Sequence, residues 1–306
     1  MASRLILIGC VVFLLAVPAG AIVIDPNPLL GTPDPASAPP PGSDPGWDHV
    51  GTYGSGSAVY LGKNASGESW ILTAAHTGSS GSFTLGGTTY ATDASVGFTN
   101  PGGGTADLRA WRLVGDPGLA GLSISASTPL AATAITVIGH GNSTGAATCW
   151  DAGWNAGSCL GAPHSGYLWA SGAKQWGTNL VSPASAALDT LANDLGLADA
   201  IFATGFDDAS TVLESQAAVG DSGGGAFVNN GGQWELAGLT LAIGWIPNDP
   251  ARPSSIAALG EDFTYYVDLS FYRDQIQAGT GVPVPEPGTG LLLGLGLVAL
   301  SVRRRR

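Results

Sequence analysis

Gly220-Asp221-Ser222-Gly223-Gly224-Gly225 is the stretch of this sequence that carries most information about its fold. Glycines on both sides of a serine let the backbone turn sharply and leave two amide groups directed at one point. We expect the amides of Gly220 and Ser222 to hold a negatively charged oxygen there, with the serine hydroxyl as a nucleophile. A simple Gly-rich turn is the alternative, because the chain has 47 glycines.

A serine hydroxyl is a poor nucleophile at neutral pH and needs a base, which a carboxylate must orient. One histidine stands in a special setting, because the apolar run Trp70-Ile71-Leu72-Thr73-Ala74-Ala75 ends at His76. Asp107 stands at the head of an alternating strand from Thr105 to Leu113, where we expect its carboxylate to point inward. A lone His or Asp in such a place is usually structural, so the three segments are weighed together.

The three segments together resemble the chymotrypsin/trypsin family of serine proteases, in which His, Asp and Ser follow one another in this chain order. Thr73-Ala74-Ala75-His76 is similar to the histidine motif, Asp107-Leu108 to the aspartate motif, and Gly220 to Gly224 to the serine motif. Gly139-His140-Gly141 stands where the family usually has Gly-Trp-Gly. Phe263-Thr264 to Ile276 resembles the closing strand and C-terminal helix, so the resemblance covers about residues 47 to 277.

The resemblance implies an all-β fold, with two antiparallel β-barrels of the chymotrypsin type and a short C-terminal helix. Barrel 1 is expected at about residues 47–125 and barrel 2 at about residues 130–277. The composition agrees, because 47 glycines, 20 prolines and 11% charged residues favour a turn-rich β protein over long surface helices.

In such a fold, Ser222 is expected to attack a peptide carbonyl, His76 to take its proton, and Asp107 to orient the histidine. The amides of Gly220 and Ser222 are expected to form the oxyanion hole. The implied activity is that of an exported serine endopeptidase that cuts a polypeptide substrate through an acyl-enzyme. It requires no metal and no organic cofactor.

The resemblance also suggests a substrate pocket and an activating acid. Gln216, six positions before the nucleophile, stands at the base of the family's primary pocket, and Ala242 lies on the facing strand. A glutamine there predicts a non-tryptic preference. Asp221 is the structural acid that in the family pairs with a freed apolar N-terminus. Cleavage before Ile22 exposes such a terminus, but the Pro-rich stretch that follows makes the path to Asp221 long.

Three alternatives remain open on the sequence. A catalytically inactive module with the protease fold, displayed at the cell surface for binding, usually lacks a triad residue, and here all three are present. An α/β esterase places its histidine near the chain end, but no histidine follows His164. Finally, a loop calcium ion is compatible with the acidic residues Asp207, Asp208 and Glu214.

An insertion is expected in barrel 2, because about 80 residues separate His140 from Ser222. The region of about residues 142–200 includes Cys149 and Cys159, which in an oxidising compartment are expected to form a disulfide, with free thiols as the alternative.

The N-terminal residues 1–21 predict a secretory signal peptide: Arg4, an apolar run, and the small residues Ala19-Gly20-Ala21. The eight prolines within residues 22–46 predict an extended linker, with the folded body starting near Trp47. Residues 22–283 carry 22 acidic and six basic side chains. This balance repels a phosphate backbone, so nucleic acid is excluded as a partner.

Residues 278–306 contain Pro285-Glu286-Pro287, an apolar segment at 291–302 and four terminal arginines. The apolar segment is shorter than the roughly 20 residues of a membrane-spanning helix. This tail resembles the PEP-CTERM signal that exosortase-type sorting machinery reads in Gram-negative bacteria. It implies export across the inner membrane, transient membrane association, and a secreted or envelope-associated product. A plain membrane anchor is the alternative.

Local patterns predict several elements of the body. A short helix is expected within residues 184–197, where leucines recur at helical spacing. A closing helix is expected behind Asp268 as N-cap. The predicted strands are Ser57 to Leu61, Trp70 to Thr73, Ser82 to Leu85, Ala134 to Gly139 and Gln233 to Ala242.

Overall fold

The computed structural model describes residues 22–26, 36–37, 39, 44–207 and 211–284. The predicted signal peptide, most of the Pro-rich stretch and the tail from residue 285 lie outside the described residues. The strands are β1 (Val23–Pro26), β2 (Val50–Tyr53), β3 (Gly56–Lys63), β4 (Ser69–Thr73), β5 (Ser82–Leu85), β6 (Thr88–Thr99), β7 (Thr105–Val114), β8 (Ala134–Gly139), β9 (Ser143–Trp150), β10 (Ala156–Gly157), β11 (His164–Ala170), β12 (Gln175–Leu180), β13 (Ile201–Gly205), β14 (Leu213–Gln216), β15 (Gly225–Asn230), β16 (Gln233–Trp245), β17 (Ile256–Ala258) and β18 (Asp262–Asp268). The helices are α1 (Ala186–Asp194) and α2 (Arg273–Thr280), with 3-10 turns at Trp47–His49, Ala75–Thr77 and Leu269–Phe271.

The first half is a closed antiparallel barrel whose strands follow the order β2-β3-β4-β7-β6-β5. Strand β7 shows how side-chain alternation builds it. Ala106, Leu108 and Ala110 are buried, whereas Asp107 and Arg109 between them are only partly buried. Asp107 therefore shares its strand face with Trp111, which is buried in the core of barrel 1.

The second half pairs its strands in the order β12-β8-β15-β16-β18-β13. A single bridge between Val181 and Thr204 brings β13 back to the end of β12. Beside it, Ser182 N donates to Ala203 O at 2.8 Å. The sheet is thus curved into a barrel that only this short contact closes, with β14 and β1 added outside β12.

The two halves share one topology. Counted along the chain within each half, the strands follow one another around the barrel as first, second, third, sixth, fifth and fourth. This arrangement confirms the predicted all-β class and the two-barrel architecture. The observed strands also contain the five that the sequence predicts, with β16 extending three residues further than expected.

The predicted insertion in barrel 2 forms a small sheet of its own. Strands β10, β9, β11 and β17 pair in that order, and β17 comes from the connection between β16 and β18. A disulfide joins Cys149 to Cys159, as predicted. The insertion is therefore held both by this cross-link and by a strand that lies far along the chain.

The boundaries of the folded body differ from those expected. Ile22, Val23 and Ile24 are buried, and β1 pairs with β14 along four residues, so the predicted linker 22–46 begins as part of barrel 2. At the other end, Val282 and Val284 belong to the main core, beyond the expected boundary at residue 277. Prolines do not prevent this pairing, because Pro26 is the last residue of a strand at the sheet edge.

The helices agree with the sequence patterns, with shorter bounds. Helix α1 buries Leu188 and Leu191, and its Ser185 N-cap accepts a hydrogen bond from Leu188 N at 3.3 Å. Asp268 caps the closing segment as predicted, accepting from Ser270 N at 3.0 Å. The segment starts as a 3-10 turn and becomes α-helical only at Arg273. Phe271 is 55% exposed, whereas Tyr272 and Ile276 are buried.

One core cluster contains side chains of both barrels, so the two halves pack as a single body. Its members include Val59 and Leu72 from the first half and Val137 and Leu239 from the second. Within the described residues, the helices are too short and too polar to cross a membrane.

Candidate active site

His76 and Asp107 lie side by side because β4 pairs with β7. The 3-10 turn Ala75–Thr77 follows the end of β4 and meets the start of β7 there. His76 Nδ1 lies 2.6 Å from Asp107 Oδ2, and the backbone N–H of His76 donates to Asp107 Oδ1 at 2.8 Å. A carboxylate only accepts, so Nδ1 carries the proton and Nε2 is left as the basic nitrogen. Asp107 thus fixes the tautomer, the ring and the backbone of His76.

The electrostatics of the pair favour a stronger base. The hydrogen bond that His76 donates to Asp107 raises the pKa of His76, and partial burial opposes this increase. Burial raises the pKa of Asp107, but the hydrogen bonds and charge of His76 outweigh it, so this pKa lies below its usual value. The aspartate therefore stays ionised while the imidazole titrates.

Ser222 is held against barrel 1 by backbone contacts. Ser57 N donates to Ser222 O at 2.8 Å, and Ser57 Oγ donates to Gly220 O at 3.0 Å. Thr73, at the end of β4, donates in turn to Ser57 O at 2.7 Å. The strand that leads to His76 therefore also anchors the serine loop across the boundary between the barrels.

Among the hydrogen bonds of the described residues, none joins Ser222 Oγ to His76. Contacts of this kind commonly tighten only when substrate binds.

Two amides of the serine loop take no part in the hydrogen bonds given by its other backbone groups. Their neighbours are engaged: Asp221 N donates to Ala218 O at 3.1 Å, and Gly223 N donates to Thr240 O at 2.7 Å. In the described part of the chain, Gly220 N and Ser222 N donate no hydrogen bond. Gly220 has φ +99°, a conformation that glycine adopts most easily. The loop therefore presents a pair of amides on either side of Asp221.

Asp221 is fully buried and is held by amides alone. Its Oδ1 accepts from Gly141 N at 2.8 Å and its Oδ2 from Ala218 N at 2.9 Å, and the backbone of Ile22 donates to it as well. Burial raises its pKa to about 7 against these hydrogen bonds. In the described residues, no basic side chain forms an ion pair with it. Ile22 therefore lies close to Asp221, because strand β1, which follows Ile22, pairs with β14 beside barrel 2.

Gln216 is buried at the end of β14, with both ends of its carboxamide bonded. Nε2 donates to Phe263 O at 3.2 Å, and Oε1 accepts from Thr264 Oγ1 at 3.0 Å. The same hydroxyl accepts from Ala217 N at 3.0 Å. Ala242 is partly buried and packs against the cluster around α1. The position predicted for a pocket base therefore holds a neutral, internally bonded side chain.

Several residues around the site have no sequence signal. Asp199, in the connection between α1 and β13, accepts from Asp107 N at 2.9 Å. Thr264 donates to Gln216 and Ser57 donates to the serine loop, but neither lies in a recognisable catalytic motif. Only the three-dimensional pairing of distant strands brings them to the site.

In the described part of the chain, no group of three or more His, Cys, Asp or Glu residues is arranged to hold a metal ion. Of the three acidic residues considered for calcium, Asp208 lies outside the described residues. Glu214 is buried and accepts hydrogen bonds from Thr211.

The repeated strand order of its two barrels gives the protein a chymotrypsin-like fold. Residues 283–306 match the model of the PEP-CTERM protein-sorting motif, a signal for export and envelope sorting in Gram-negative bacteria. No curated protein matches the sequence. Among solved structures, mouse neuropsin, described as a serine protease expressed in the limbic system of mouse brain, is 16% identical; the match covers 78% of this chain and 96% of that chain, with a TM-score of 0.49.

Proposed function

We propose that this protein is an exported serine endopeptidase with Ser222 as nucleophile, His76 as general base and Asp107 as the carboxylate that orients the base. The observation that carries the proposal is the pairing of His76 with Asp107 on one side of the barrel boundary and the serine loop on the other. The loop offers two unengaged amides beside a serine that barrel 1 holds by its backbone.

The reaction begins when Ser222 Oγ bonds to a peptide carbonyl carbon and its proton passes to His76 Nε2. The carbonyl electron pair moves onto oxygen, which the amides of Gly220 and Ser222 stabilise. His76 then gives the proton to the leaving nitrogen as the C–N bond breaks. Water repeats the sequence on the acyl-enzyme, with His76 again as base, and releases the carboxylate product.

Activation is proposed to follow removal of the signal peptide. Cleavage before Ile22 turns its amide, already bonded to Asp221, into an ammonium group. This gives the buried carboxylate a cation, which is the usual requirement for a buried charge. Ile22 has φ +65°, which is strained for a β-branched residue, and a chain that starts at Ile22 has no such constraint. The resulting ion pair would fix the loop that carries both oxyanion amides.

The substrate is proposed to be a polypeptide with an uncharged side chain before the scissile bond. This follows from the neutral side chain of Gln216, whose two hydrogen-bond partners, Phe263 and Thr264, are also uncharged. An exosortase-type enzyme is the proposed sorting partner, through the tail that matches the PEP-CTERM motif. Transient membrane association is proposed to accompany that sorting.

The decisive experiment uses the processed protein and a fluorophosphonate probe, which labels only an activated serine. We expect stoichiometric labelling of the wild type and loss of labelling in both Ser222→Ala and His76→Ala. Ser66→Ala, in an exposed turn of barrel 1, is the matched control and should label normally.

A folded wild type that takes no label would overturn the proposal and favour the alternative, an inactive module that binds partners through the same fold. Labelling that survives Ser222→Ala would instead place the reactive serine elsewhere.

A further inference from the structure

Asp199 joins three parts of the molecule at the back of the proposed triad. Its Oδ1 accepts from the backbone N–H of Asp107 at 2.9 Å and lies 3.4 Å from the Tyr272 hydroxyl oxygen. Asp107 belongs to barrel 1, Asp199 precedes the first residue pair of β13 in barrel 2, and Tyr272 precedes α2. This single carboxylate oxygen therefore ties the triad aspartate to the opposite half of the protein.

The Tyr272 hydroxyl completes the connection. It donates to Asn100 Oδ1 at 2.7 Å and accepts from Ala200 N at 3.2 Å. Asn100 lies in the turn between β6 and β7, only a few residues before Asp107, and both Asn100 and Tyr272 are buried. Since every partner is fixed by a strand end or a buried ring, Asp199 has little freedom to move.

The carboxylate of Asp199 interacts with that of Asp107, whose own charge raises the pKa of His76. Burial raises the pKa of Asp199, the hydrogen bond from Asp107 N lowers it, and the negative charge of Asp107 raises it again. The titratable groups that face Asp199 are Asp107 and Tyr272, with His76 beyond Asp107. A second carboxylate behind the first favours the imidazolium form of His76, the form that develops as Ser222 loses its proton.

We infer that Asp199 is a positioning residue: it holds the backbone of Asp107 in place from the second barrel and adds negative charge behind the His76–Asp107 pair. This inference rests on the proposed function, because it assigns Asp199 a role in that same site. It extends the His, Asp and Ser motifs by a residue that sequence motifs do not identify.

Two substitutions separate the two parts of this role. Asp199→Asn keeps an oxygen that accepts from Asp107 N but removes the charge, so kcat should stay within about threefold of wild type. Because a negative charge near His76 is lost, the pKa of His76 should fall by a few tenths of a unit, and the acidic limb of kcat/KM should move to lower pH by the same amount. Asp199→Ala removes the acceptor, so kcat should fall about tenfold with KM within about twofold.

NMR titration measures the pKa of the His76 ring directly and does not depend on enzymatic activity. The His76 signal is assigned as the one that is missing in His76→Ala. The matched control is Asp194→Ala, which removes an exposed carboxylate from the end of α1 and should leave the pKa of His76 unchanged. An unchanged His76 pKa in Asp199→Asn, together with an unchanged kcat in Asp199→Ala, overturns the inference even if the wild type is active. If the wild type takes no fluorophosphonate label, the proposed function fails, while the NMR shift still decides the positioning role.

Discussion

Gly220 and Gly141 meet backbone to backbone: a Cβ on Gly220 would lie 2.7 Å from the Cα of Gly141. Gly141 is also the residue whose amide donates to Asp221. The segment after β8 and the serine loop therefore pack without room for a methyl group, and this contact sets the orientation of the two amides proposed as the oxyanion hole.

Gly220→Ala should lower kcat by about 100-fold or more. The serine loop must shift to make room for the methyl group, and its two amides are then no longer directed at the oxyanion. Gly232→Ala is the matched control: φ is +92° at Gly232, close to that of Gly220, but a Cβ there meets nothing within 4 Å. Both variants carry the conformational cost of about 1 kcal/mol, whereas only Gly220→Ala should slow fluorophosphonate labelling. Equal labelling rates in the two variants would contradict the assignment of this amide.

A chain with Met-Ala added before Ile22 should be at least tenfold less active than the chain that starts at Ile22, because its Asp221 receives an amide and not an ammonium group. The rate of labelling of Ser222 measures this. As a control for the added residues themselves, Met-Ala can be placed after residue 284, where the charge at Asp221 is unaffected. Full activity of the N-terminally extended chain would refute activation by signal removal.

The extended chain should also lose stability with rising pH. Its Asp221 has a pKa of about 7 in the folded state, above the value of 3.8 expected on unfolding. The contribution of this group is fully present below about pH 4 and is lost as pH rises through about 7, with a slope of up to about 1.4 kcal/mol per pH unit. Urea unfolding between pH 4 and pH 8 should show this slope, and Asp221→Asn should remove it.

Thr264 should control the pocket base through its hydroxyl. Thr264→Val removes both the donor to Gln216 Oε1 and the acceptor for Ala217 N, leaving buried polar groups unpaired at a cost of about 1–3 kcal/mol. Cleavage of a peptide library should become weaker and less selective. Thr264→Ser keeps the hydroxyl and should retain the wild-type profile. Efficient cleavage after Lys or Arg by the wild type would refute the neutral pocket.

The disulfide should stabilise the insertion without affecting the triad. A double substitution of Cys149 and Cys159 to Ser opens a loop closed across ten positions, which should cost at most about 3 kcal/mol of unfolding free energy. Ser222 labelling at a temperature where the variant is folded should be unchanged, because His76, Asp107 and Asp199 all lie outside the small sheet that the disulfide joins. Slower labelling would mean that the insertion supports the active site.

Local motifs predicted the parts of the fold that depend on neighbouring residues. The runs that end at His76 and begin near Asp107 were recognisable because strand alternation and turn residues are local signals. Their pairing through β4 and β7 followed from the family resemblance and not from periodicity. The N-cap at Asp268 and the helix around Leu188 were likewise visible in short windows.

Contacts between distant segments were not predictable in the same way. Strand β1 was hidden by the prolines that follow it, although Val23 pairs with Gln216 almost 200 residues later. The pairing of β11 with β17, and the hydrogen bond from Asp107 to Asp199, join segments with no shared pattern. Such contacts depend on how the barrels close. No short segment of the sequence carries a pattern that predicts this closure.

The packing of Val284 has a consequence for sorting. This residue is 6% exposed, and its carbonyl accepts from the Arg273 guanidinium at 2.9 Å, while the matched sorting motif starts at residue 283. The folded domain and the sorting motif thus share residues, with no spacer between them. The folded domain, up to Val284, directly precedes Pro285-Glu286-Pro287. A protein that binds these three residues must therefore have a binding cleft that is open towards the folded domain.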